Sequence, residues 1–133
     1  MKYKFTGKEN KFMDVTLKQI VCVTAFGSIQ CGEIGGWVEG EGNLSQSGDA
    51  WVSGNAWVSG NARVSGNARV FGDAWVFGNA RVFGNAEVFG NAKVFGDARV
   101  SGNARVFGDA RVSGNAPGFF PGVGRGEKRG SRI

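Results

Sequence analysis

From Gly48 to Ser113 the chain repeats one six-residue unit eleven times without interruption: Gly, Asn or Asp, Ala, a variable residue, Val, then Ser or Phe. A twelfth unit starts at Gly114-Asn115-Ala116 and stops at Pro117. A period of six fits neither a heptad nor a lone amphipathic helix, and it sets Gly beside Asn or Asp in every unit, which a helix interior does not tolerate. Each unit reads instead as a short strand plus a corner. In Ala-x-Val-(Ser/Phe) side chains alternate, so Ala and Val face one side while the variable residue and Ser/Phe face the other. The Gly-(Asn/Asp) pair supplies the bend, because these residues tolerate positive φ at low cost. A strand that buries only Ala and Val makes no core alone. Three such strands around a triangular coil, with coils stacked, bury every Val from Val52 to Val112 in one narrow dry column, which is the logic of a parallel β-helix.

Composition sets the bounds around that array. A chain of 133 residues supports one domain and one modest core. Its 24 glycines would suggest low complexity if most did not fall on the period. Histidine is absent, which removes the commonest general base and metal ligand. Cys22 and Cys31 are too few for a disulfide framework and are expected as buried thiols. No apolar run resembles a signal peptide or a membrane span, so a soluble cytoplasmic protein is expected.

The unit Val-x-Gly-Asn-Ala-x resembles the hexapeptide repeat of left-handed β-helix proteins: an aliphatic residue inside, a small residue two positions before it, Asn at the corner. The family often has Gly directly after the aliphatic residue, whereas here Gly comes one place later. The resemblance implies an all-β, single-stranded left-handed parallel β-helix, and assembly into trimers along the helix faces. Lys2-Tyr3-Lys4-Phe5-Thr6-Gly7, Gly35-Gly36-Trp37-Val38-Glu39 and Asn43-Leu44-Ser45-Gln46 resemble the cap of uncharacterised bacterial and prophage proteins that carry such arrays.

Three regions follow. Residues 1–47 form an N-terminal β cap over one open end of the stack, with a strand through Thr16–Val23 and a turn at Phe26-Gly27-Ser28. Residues 48–116 form the β-helix of about four coils at 18 residues each, roughly 18 Å tall. Residues 117–133 form a basic tail, its Phe119-Phe120 pair folding over the last coil and its Arg125, Lys128, Arg129 and Arg132 making a mobile end.

With a monotonous core, information lies in the outward columns. Every third unit shares a face, so the variable positions sort into three ladders: Trp51, Arg69, Glu87, Arg105; then Trp57, Trp75, Lys93, Arg111; then Arg63, Arg81, Arg99. The Ser/Phe position sorts likewise, placing Phe71, Phe89 and Phe107 on the first face, Phe77 and Phe95 on the second and Phe83 on the third. A core this narrow cannot accept six phenylalanines, so they stand outside, stacking on one another or forming an interface. Phe, Trp and Arg are the residue types that carry interface energy. The arginine ladder puts like charges about 5 Å apart, with Asp49, Asp73, Asp97 and Asp109 available to neutralise part of it.

The expected function is that of a non-catalytic protein-binding module acting through these ladders, either by homo-oligomerisation as a dimer or trimer or by seating a foreign protein. The resemblance of the cap extends this to a phage- or prophage-encoded accessory protein that inhibits a host defence factor. Polyanion or nucleic-acid binding through the arginine ladder and tail is the alternative, the net charge of +5 being spread over array and tail. An acyltransferase, the activity most often hosted by the resembled fold, is disfavoured by the missing histidine and the absence of loop excursions. No cofactor and no metal are expected, since the corner Asp residues do not follow the calcium β-roll pattern and no Gly-Lys-Ser/Thr follows the glycines.

Overall fold

A computed structural model describes residues 1–12, 14–114 and 128–129. The chain is an all-β parallel solenoid of about four coils whose short strands stack into three sheets. Eleven two-residue strands, from Trp51–Val52 to Arg111–Val112, fall one per hexad. Trp51–Val52, Arg69–Val70, Glu87–Val88 and Arg105–Val106 build the first column. Trp57–Val58, Trp75–Val76, Lys93–Val94 and Arg111–Val112 build the second, and Arg63–Val64, Arg81–Val82 and Arg99–Val100 the third. The register is the one expected from three units per coil. Among the described residues no helix is long and apolar enough to cross a membrane.

Coils are joined by backbone hydrogen bonds that repeat with the sequence. Arg63, Ser65 and Asn67 donate to the carbonyls of Ala80, Val82 and Gly84 at 2.8–3.0 Å, and the same pattern recurs around the stack. Inside, every Val from Val52 to Val112 and every Ala from Ala50 to Ala110 is buried, so the dry column is made of two residue types. At each corner a turn closes, for example Ala68 N–H to Ser65 C=O at 3.2 Å, with Gly66 at φ +66°.

Solenoid pairing begins upstream of the first hexad. Strand β3 (Ile34–Val38) runs parallel to the second column, with Trp37 opposite Trp57 and Val38 opposite Val58, and Leu44 bridges to Val64 in the third. In this irregular rung the Asn43 side chain does the work of a corner: its amide donates to Gly60 O and Ala62 O and accepts from Gly40 N–H. Strand β2 (Val15–Cys22) matches the expected strand and pairs antiparallel with β3. Strand β1 (Tyr3–Phe12), which the sequence reading did not pick out, completes a hairpin with β2. Phe26 and Ile29 bridge across the expected turn, where Gly27 has φ +50°.

Three expectations need correction. Cys22 is buried, but Cys31 is exposed because the turn that carries it lies outside the hydrophobic cluster, and both thiols are free. Trp51 points out of the valine column as expected, yet it is only 2% exposed, because Phe26, Ile20 and Gly35 close over it. Among the described residues the corner aspartates make no ion pair with the arginine ladder, and three of the four, Asp73, Asp97 and Asp109, accept hydrogen bonds from Asn55, Asn79 and Asn91 one coil earlier. Of the tail, only the backbone of Lys128–Arg129 is described, paired parallel with Arg111–Val112. Phe119, Phe120, Arg125 and Arg132 lie outside the described residues.

Candidate functional site

The hexad dictates what each face offers. With Val turned inward, the residues on either side of it point out, so each face carries two parallel side-chain columns repeated at the coil spacing of about 4.8 Å.

On the first face Phe71 stacks on Phe89 with ring centroids 4.9 Å apart and planes 2° from parallel, and Phe89 stacks on Phe107 at 5.5 Å and 13°. Such flat stacking is imposed by the in-register strands beneath, since each ring is fixed directly over its equivalent. Phe71 and Phe89 remain half-buried and Phe107 is 36% exposed, so the column is stacked yet still open on its outer side. Beside it the variable column sets Glu87 between Arg69 and Arg105, and Arg105 Nε meets Glu87 Oε1 at 3.2 Å.

The second face is aromatic in both columns. Trp57 and Trp75 stack at 4.5 Å and 11°, Phe77 and Phe95 at 5.1 Å and 5°. The tip of the hairpin reaches this face: Phe12 packs edge-on against Trp57 at 4.5 Å and lies 5.6 Å from Trp75. Lys93 extends the stack, its ammonium 4.6 Å from the Trp75 ring centroid. Both tryptophans are half-buried as a result, and Arg111 at the far end is exposed. Phe12 and Trp37 belong to this face and were not among the binding residues read from the sequence. The signal for Trp37 was the Trp-Val pair at 37–38, which repeats the Trp-Val of Trp57–Val58 and Trp75–Val76. Phe12 had no comparable signal.

The third face carries Arg63, Arg81 and Arg99 in register, all exposed, with Phe83 beside Arg81 and 36% exposed. The segment 41–46 stands over its first rung, tied down from β1 and the residue before it: Tyr3 Oη donates to Leu44 O at 2.6 Å, and Gln46 Oε1 accepts from Lys2 N–H at 2.7 Å. Between this segment and the ladder lies an open groove of about 510 Å³, lined by all three arginines, Phe83, Ser65 and Glu41 among others. Of the twelve residues singled out from the sequence, the fold thus distributes Phe71, Phe89 and Phe107 to one face, Trp57, Trp75, Phe77, Phe95 and Arg111 to another, and Arg63, Arg81, Arg99 and Phe83 to the last. Among the described residues no three His, Cys, Asp or Glu side chains come together as metal ligands.

A family model described as YdcK Beta solenoid repeat matches residues 62–78 and 98–114, each stretch about one coil long. No curated protein matches the chain. The first matched stretch lies within the stacked hexads and the second runs one residue past them, to Gly114, and the likeness is to a β-solenoid repeat.

Proposed function

We propose that the chain is a non-catalytic binding module, a left-handed β-helix capped by residues 1–47, that seats a protein on its aromatic ladders, a second copy of itself first among them. The observation that carries this reading is the open column Phe71–Phe89–Phe107, stacked at 4.9 and 5.5 Å outside the core. A soluble chain seldom leaves aligned phenyl rings facing water, and these are flanked by the Arg69–Glu87–Arg105 ladder, which offers a polar rim. Near-identical units also favour a repeated flat contact over convergence of different groups on one point. The phage-encoded role against a host factor draws on the likeness of segments 2–7, 35–39 and 43–46 noted above.

Absolute mass in solution tests the reading. The intact chain should be a dimer or trimer that persists at high salt, because its contact is apolar. Replacing Phe71, Phe89 and Phe107 together by Ser should leave the far-UV circular dichroism intact, since serine already occupies this position at Ser53, Ser59 and Ser65, and should yield a monomer. A variant that assembles like the wild type would overturn the assignment of this face.

A further inference from the structure

We propose that the third face binds single-stranded nucleic acid, with Arg63, Arg81 and Arg99 on successive phosphates and Phe83 as a stacking platform for a base. This goes beyond the protein-binding reading, which rests on the phenylalanine column of a different face.

The first face is an internal comparison. It has the same strand geometry and the same outward position, and there the chain places Glu87 between two arginines, with an ion pair at 3.2 Å. On the third face the equivalent rungs read Arg-Arg-Arg, and the nearby carboxylates stand beside the ladder and not in it: Asp97 at the corner before Arg99, and Glu39 and Glu41 next to the first rungs. The corner after the ladder holds Asn67, Asn85 and Asn103, hydrogen-bonded to one another by their side-chain amides at 3.2 and 3.4 Å; the corner before it holds Asn61, Asn79 and Asp97, and there Asp97 accepts from Asn79 at 3.2 Å. Among the described residues none of the three arginines makes an ion pair. Stacking like charges about 5 Å apart is unfavourable, and a row of phosphates relieves it.

Shape favours a single strand over other anions. The groove is open along the ladder and walled on one side by the 41–46 segment, whose Glu41 is the carboxylate lining it. Phe83 lies two residues from Arg81 on the same outward surface, so a ring and a guanidinium stand side by side. That pairing of a positive track with an exposed ring is how single strands are held without sequence preference. A flexible single strand can also adjust its phosphate spacing to the coil repeat, which a duplex cannot.

The test is fluorescence anisotropy of a labelled fifteen-nucleotide oligo-dT with the full chain over a range of KCl concentrations. Binding is expected to weaken as salt rises. Replacing Arg63, Arg81 and Arg99 by Ala should reduce the slope of log K against log salt by about 2, from roughly 0.7 per phosphate neutralised on a single strand. Phe83→Ala should weaken binding roughly tenfold and leave that slope unchanged. All four side chains are outside the core, and circular dichroism checks the fold. Should the triple variant misfold, Arg81→Gln alone should lower the slope by about 0.7. The proposal is overturned by no binding at low salt, by an unchanged slope in the arginine variants, or by poly-glutamate displacing the probe as well as unlabelled oligo-dT does. That last result would mark the face as one for acidic peptides.

Discussion

Lys2 shows how one residue couples the N-terminus to the solenoid. Its ammonium donates to Ala50 O at 2.7 Å, at the start of the first hexad strand, and lies 4.8 Å from the Phe26 ring centroid. Burial lowers its pKa from 10.5 to about 8, opposed by the charge of Asp49 and, more weakly, by Cys22. The unfolded chain keeps this proton up to about 10.5 while the folded chain releases it near 8, so between those values the unfolded state binds more protons. Stability from this group therefore rises with pH through that window and is lost as pH falls through 8. Urea midpoints of the wild type and Lys2→Met, measured from pH 7 to 10, should show the wild type gaining on the variant. Tyr3, whose pKa burial raises to about 12, and Cys22, also raised, act in the opposite direction, but they do so in both proteins. A difference that stays flat with pH would show that Lys2 is not held as described.

At the scale of the element, the corner decides whether coils can stack. Gly78 has φ +70°, and a Cβ there would lie 2.9 Å from the backbone nitrogen of Gly96 in the next coil. Gly78→Ala combines left-handed strain with that clash and should cost about 1–2 kcal/mol or more. Gly40, with extended backbone and open space around it, is the control, and Gly40→Ala should be near neutral in the same denaturant titration. The corners were legible because every unit repeats Gly-(Asn/Asp) at the same offset. The rung at 37–47 was not, because a single buried side chain, Asn43, replaces the repeated corner there, and one asparagine in a loop carries no periodic signal.

Across the whole molecule, period and face are separable. Deleting Gly84–Phe89 removes one unit, and the Val and Ala column closes up unchanged because every unit contributes the same two residues. Everything downstream rotates by one face, so Phe95 follows Phe71 and Ser113 follows Phe95 in the first column. Circular dichroism should report a folded solenoid with a lower melting temperature, since the stack is shorter. Light scattering should report weaker self-association, because the three-ring column is cut to two. If association were undiminished, the column would not be its cause.

Sequence alone determined the solenoid, its inward Val and Ala, its positive-φ corners and the membership of all three outward ladders. Each follows from a residue's place in a period of six and from the alternation of a strand, and those are local properties that every unit states again. Tertiary structure decided which parts of those ladders stay open. Phe26 buries Trp51, Phe12 covers Trp57 and Trp75, and the 41–46 segment walls the arginine groove. It also sent Asp73, Asp97 and Asp109 to their asparagine neighbours one coil earlier and left Arg63, Arg81 and Arg99 without an ion-pair partner among the described residues. These contacts join residues far apart in the chain, from a segment with no repeat to announce where it will land, and only the packed chain brings them together.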